Sequence, residues 1–215
     1  MSAELAIVDP HMHLWDLSRI YYPWLTPPLP VGITGDVTPI ARDYLLDDYL
    51  HDIGAHDSRV RAAKIVHVEA GADPGDSLAE TRWLQALANS RGFPQAIVAH
   101  AELEKADAAS LLAQHAAHRN VRGIRQILNW HPDSTKTYTP RDLLADDAWQ
   151  RGFALLARHG FSFDLQIYPA QMPAAARLAA RHADTRIILN HTGMPVDKDA
   201  AGLTAWRSGM RALAA

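Results

Sequence analysis

Six short apolar stretches, each followed by a stretch of helical periodicity, run the length of this chain and leave it few folds to adopt. Ala96-Ile97-Val98-Ala99 and Ile187-Ile188-Leu189 are apolar throughout instead of alternating, which marks strands buried on both faces. Such strands belong to parallel sheets, where the intervening helices serve as crossovers. The pattern predicts strands over 5–8, 62–69, 95–100, 121–128, 161–167 and 186–190. It predicts helices over 42–53, 77–88, 106–118, 147–159, 173–182 and 203–215. Ser77-Leu78-Ala79-Glu80 reads as a capping box, and Gly54, Gly92 and Gly160 stand just past helix ends. Two α/β architectures fit this order, a doubly wound sheet and a (β/α) barrel. A Gly-x-Gly-x-x-Gly turn and a phosphate loop are both missing from the sequence, which removes the main support for the first.

Polar residues close nearly every predicted strand: His11/His13, His67/Glu69, His100/Glu102, Asn129/Trp130/His131, Gln166/Tyr168 and Asn190/His191. In a barrel all of these would gather at the C-terminal mouth, where such folds keep their chemistry. The first pair carries the most weight. With 12 histidines in 215 residues, chance alone gives about 0.7 His-x-His pairs, so its position is what matters. It follows the apolar run Leu5-Ala6-Ile7-Val8, with Pro10 expected to end the strand. Residues i and i+2 of an extended segment share a face, so both imidazoles can converge on one ion or substrate. His191 precedes Thr192-Gly193-Met194-Pro195, a tight-turn sequence. Arg125 lies toward the C-terminal end of its strand, where it can fork onto a substrate carboxylate.

Composition excludes several functions. Lys and Arg number 21 against 24 Asp and Glu, a net charge of −3, so no basic stripe exists to bind nucleic acid. The chain has no cysteine, so any metal must be held by histidine, carboxylate or water. The opening Met1-Ser2-Ala3-Glu4 carries no basic run, and the apolar stretch after it is too short for a signal peptide or a membrane span. A cytoplasmic location without a membrane partner is expected, and the oligomeric state is left open. An apolar content of 48% is enough for a core in a single domain over 1–215. Residues 17–39 hold five prolines with Tyr21, Tyr22 and Trp24, either a stiffened pocket lid or an insert packing its rings on the core.

Taken in order, several motifs resemble the amidohydrolase-2 branch of the amidohydrolase superfamily. They are Asp9-Pro10-His11-Met12-His13-Leu14-Trp15-Asp16, Val68-Glu69-Ala70, Arg122-Gly123-Ile124-Arg125, Phe163-Asp164-Leu165 and Asn190-His191-Thr192-Gly193-Met194-Pro195. The likeness covers almost the whole chain and is greatest to the lactonase-like group of TIM-barrel metal-dependent hydrolases. It implies a (β/α)8 TIM-type fold, cut short here after about six β/α units, with the family's aspartate after an eighth strand missing.

The resemblance also implies the chemistry. His11, His13 and His191 become the catalytic set and the ligands of one divalent metal such as Zn2+, or polarise a carbonyl directly if none is bound. Arg125, Gln166, Tyr168, Glu69, His67 and Trp130 become substrate-binding residues. The fifth strand carries Asp164-Leu165-Gln166-Ile167-Tyr168 where many relatives place a metal-binding histidine, which argues against a binuclear centre. The implied activity is hydrolysis of a lactone, or a related cyclic ester or amide, of a small carboxylated or sugar-derived metabolite. A metal-dependent decarboxylase of the same branch and an inactive ligand-binding remnant are the alternatives.

Overall fold

The computed structural model describes residues 4–30 and 35–214. Its six strands are β1 (Leu5–Met12), β2 (Val60–Val68), β3 (Ala96–His100), β4 (Val121–Ile127), β5 (Ser162–Gln166) and β6 (Ile187–Leu189). They alternate with six helices, α1 (Leu46–Gly54), α2 (Ser77–Arg91), α3 (Ala108–Ala116), α4 (Asp147–Phe153), α5 (Met172–Arg181) and α6 (Ala200–Leu213). The predicted order of strands and helices is the observed one. The chain clusters into two compact units, one formed by residues up to His100 with Gln114–Arg122, the other by Ala101–Ala113 with residues from Gly123 onward.

In the first unit β1 pairs with β2, and β2 with β3, all parallel. Ile65, Val68, Leu84 and Ile97 form its fully buried centre. The first strand runs on through Pro10 to Met12, beyond the predicted stop. Its register with β2 shifts between Asp9 and Met12, so the proline sits in an irregularity, where its missing N–H interrupts no regular ladder. Of the two readings of the proline-rich loop, the packed insert holds for its described part. Ile20, Tyr22 and Leu25 are buried, and Trp24 Nε1–H donates to the Ala70 carbonyl at 2.7 Å. Residues 31–34 of that loop lie outside the described residues.

The capping box predicted at Ser77 does not form. The Ser77 hydroxyl donates instead to the His100 carbonyl, and Glu80 accepts from the Tyr22 hydroxyl and the Ala70 N–H. Both side chains are buried, and a buried polar group bonds whatever partners the packing brings to it.

In the second unit β4 pairs with β5, and β5 with β6, again parallel. Trp149, Phe153 and Phe163 stack edge to face and tilted at 5.2–5.7 Å between centroids, with Trp149 Nε1–H donating to Gln126 at 2.8 Å. The helix predicted over 147–159 breaks after Phe153. The Leu155 N–H returns to the Gly152 carbonyl, tightening the chain into a short 3-10 turn, Leu156–His159, that ends at the left-handed Gly160.

Candidate active site

The first unit brings three of the predicted histidines together. His11 and His13 turn their Nε2 atoms toward each other at 3.3 Å, and the His13 and His67 rings meet edge-on at 6.3 Å. His13 Nδ1 lies 2.7 Å from the Val68 carbonyl. A carbonyl only accepts, so Nδ1 carries the ring proton and Nε2 of neutral His13 is an acceptor that faces His11 Nε2. His67 Nε2 is fixed in the same way on the Leu14 carbonyl at 3.1 Å. Glu69 is buried and accepts the Gly71 N–H at 2.7 Å.

Asp9 supports the pair from behind. One of its oxygens accepts the His11 N–H at 3.0 Å and the other accepts the Tyr49 hydroxyl at 2.9 Å. Burial, followed by this bond to Asp9, raises the Tyr49 pKa, so its hydroxyl keeps its proton and remains a donor. The sequence places Asp9 next to the pair, but nothing in it points to Tyr49 as a partner.

The two Nε2 atoms can be tested against a metal. Two nitrogens bound to one tetrahedral zinc at about 2.0–2.1 Å stand about 3.3 Å apart, the separation found here. The Val68 carbonyl supplies the outer hydrogen bond that fixes a metal-binding imidazole in the right tautomer. The pair therefore fits two positions of a divalent ion's ligand set. Among the described residues no group of three or more His, Cys, Asp or Glu side chains gathers as a complete metal cage.

The second unit holds the remaining predicted residues. Arg125 and Asp164 are register partners on β4 and β5, and Asp164 pairs in turn with Ile188 on β6. Arg125, Asp164, Gln166 and Asn190 are all buried. Arg125 donates from Nη1 to Gln166 Oε1 at 3.2 Å, and Asn190 Nδ2 donates to Asp164 Oδ2 at 3.0 Å. Tyr168 is buried with its hydroxyl donating to the Lys136 carbonyl at 2.6 Å, and burial raises its pKa to about 12. Tyr168 is thus a neutral donor already committed to a backbone partner.

Gln171, which the sequence did not single out, ties the ends of β4 and β5 together. Its side chain accepts the Trp130 and Tyr168 N–H groups and donates to the Leu128 carbonyl and to Asp142. That arrangement fixes where Trp130 leaves its strand.

His191 stands on an unusual backbone. His191, Thr192, Gly193 and Met194 all have positive φ, 48°, 50°, 76° and 38°. Three of the four are not glycine, at about 1 kcal/mol or more of strain each. Trp206 Nε1–H on the Thr192 carbonyl at 2.7 Å and the Gly193 N–H on the Asn190 carbonyl at 2.9 Å hold the turn in place. Such strain persists where the surroundings over-determine it, and it clusters at functional sites. The His191 pKa is lowered, first by partial burial and then by the positive charge of Arg125, so its imidazole is disposed to be neutral.

Several known proteins are similar to this chain. The chain is 43% identical over 213 residues to the uncharacterized protein y4mH of Sinorhizobium fredii, covering 99% of this chain and 70% of that protein. It is 29% identical over 212 residues to an L-fucono-1,5-lactonase of Burkholderia multivorans, covering 97% of this chain and 64% of the lactonase. A zinc-containing crystal structure of an amidohydrolase from Burkholderia multivorans superposes with a TM-score of 0.69 at 26% identity, over 96% of this chain and 65% of that one. The chain thus spans roughly two thirds of the length of these relatives. The amidohydrolase family model Amidohydro_2 matches residues 8–215, and the chain belongs to that family.

Proposed function

We propose that the protein is a lactonase-like hydrolase built on TIM-type β/α units, directing water onto the carbonyl carbon of a small cyclic ester. The reading is carried by the convergence of His11 and His13 on one point, with the tautomer of His13 set by Val68. It is supported by the lactonase of Burkholderia multivorans among the relatives. His11 and His13 are the residues that would hold a divalent ion. When bound, such an ion supplies Lewis acidity toward a carbonyl oxygen.

The protein's own groups do the rest. Asp9 anchors His11 through its backbone, and Val68 keeps His13 from turning away. His191, disposed to be neutral, accepts or relays a proton near neutral pH. Arg125, held level by Gln166, offers a fixed positive charge to an oxyanion or to a substrate carboxylate. His67, Glu69, Gln166, Tyr168 and Trp130 shape and orient the substrate.

The test is hydrolysis of a panel of sugar-derived 1,5- and 1,4-lactones, followed by proton release in weak buffer. Acceleration above the spontaneous rate, abolished by His13→Ala and reduced by His191→Ala, is expected. A chain that accelerates none of them, with or without added Zn2+, refutes the reading.

A further inference from the structure

Asp164 is a carboxyl group in the middle of β5, flanked by the fully buried Phe163 and Leu165 and itself only 3% exposed. Its neighbour Asn190, also 3% exposed, gives it one hydrogen bond, from Nδ2 to Oδ2. The other oxygen of each side chain, Asp164 Oδ1 and Asn190 Oδ1, is buried with no hydrogen-bond partner among the described residues. Buried acceptors without donors are rare in folded proteins, and two belonging to one bonded pair call for a common cause.

A single proton removes both. On Asp164 Oδ1 it turns that atom from an acceptor into a donor, and Asn190 Oδ1, on the same amide that donates to Asp164 Oδ2, is an acceptor that lacks one. Acid and amide then exchange one O–H and one N–H bond, and no buried oxygen is left over. Arg125, its register partner on β4, sends a hydrogen bond to Gln166, and Ile188 on the other side is apolar. Burial disfavours the carboxylate and raises the Asp164 pKa, with the Asn190 bond and the Arg125 charge opposing this to a lesser degree.

We propose that Asp164 is a neutral carboxylic acid closed onto Asn190 as an acid–amide pair, and that this pair positions the turn presenting His191. Asn190 is the last residue before the four left-handed positions, and its carbonyl accepts the Gly193 N–H. Its backbone N–H is itself held by the Leu165 carbonyl, next to Asp164. Fixing the Asn190 side chain thus fixes the entry to the strained turn. Asp164 acts through Asn190, as a positioning residue, and the catalytic half of the statement rests on His191 being a site residue as proposed above.

The test uses the 215-residue chain with Asp164→Asn and Asp164→Leu. Asparagine reproduces the protonated acid, because its Nδ2–H can donate to Asn190 Oδ1, whereas leucine cannot. An infrared carboxylic-acid C=O band is expected at pH 7 in the 13C-aspartate-labelled protein and is lost in Asp164→Asn. Asp164→Asn should melt at or above the parent at pH 8, with the advantage shrinking toward pH 4. The sign follows because a carboxyl whose folded pKa is raised stabilises the fold below its unfolded value and loses that contribution as pH rises. In NMR spectra Asp164→Asn should leave the His191 ring resonances in place, and Asp164→Leu should move them.

No acid band at pH 7, or an Asp164→Asn protein that melts below the parent throughout, overturns the acid–amide pair. Unmoved His191 resonances in a folded Asp164→Leu protein overturn the positioning role. If leucine prevents folding, the infrared band and the asparagine melts still decide the pair, and Asn190→Ala then decides the positioning role by the same resonances. None of these readouts needs a substrate, so failure of the lactonase reading would show separately as absent hydrolysis.

Discussion

The Nε2 atoms of His11 and His13 face each other at 3.3 Å, and His13 is oriented by donating from Nδ1 to the carbonyl of Val68, 55 residues along the chain. Two imidazole nitrogens at that separation share either a proton or a cation. Zn2+ titrated against a chromophoric chelator should therefore bind the parent protein, and His13→Ala should weaken it by more than about tenfold. Equal affinity in the two proteins would contradict the assignment of this pair to a metal.

The charge of Arg125 reaches His191. Burial is the larger cause of the lowered His191 pKa and Arg125 the second, so Arg125→Gln should raise that pKa while leaving it below the ordinary histidine value. Imidazole NMR titration of the metal-free protein measures this directly. A fall, or no change, would mean that the two side chains do not sense each other.

His115 makes stability depend on pH. It is fully buried, donates from Nε2 to the His100 carbonyl at 3.0 Å, and takes the Thr81 hydroxyl on Nδ1 at 3.1 Å. Burial lowers its pKa from 6.5 to about 4. Between these values the unfolded chain binds the extra proton, so stability is full above pH 6.5 and is lost as pH falls toward 4, by roughly 3 kcal/mol. Urea unfolding at a series of pH values should show that slope, and His115→Phe should flatten it while lowering stability at pH 7.

Two glycines should respond differently to alanine. At Gly152 a Cβ would stand 1.9 Å from the Leu103 carbonyl oxygen, a contact with backbone that only a shift of the chain can relieve. Gly152→Ala should destabilise by about 3 kcal/mol. At Gly160 nothing lies within 4 Å of such a Cβ, and only the left-handed φ of 65° is unfavourable, so Gly160→Ala should lose about 1 kcal/mol. Denaturant midpoints of the two variants give the comparison, and equal losses would show that the Leu103 contact carries no weight.

Much of the site was readable because its signals are local. The pair at 11 and 13 follows from extended-chain geometry, and His191 follows from a buried run that stops at a turn sequence. The roles of Tyr49, Gln171 and Asp164 were not readable in the same way, since each depends on a partner brought near by packing. Tyr49 lies 40 residues from Asp9, and Gln171 lies 43 from Leu128. Asp164 left one trace, a charged residue between two apolar neighbours in a strand buried on both faces.

By itself the sequence determined the order of six strands and six helices, because strand and helix periods are written into consecutive residues and apolar runs must be covered. It also determined which strand ends carry histidine, arginine and amide groups. Only the tertiary structure decided what those groups can do. It set the tautomer of His13 through Val68 and drew Ser77 and Glu80 away from a capping box. It also joined Asp164 to Asn190 across two strands. The physical reason is that periodicity is a local property of the chain, whereas burial and hydrogen-bond partners are shared between segments distant in sequence.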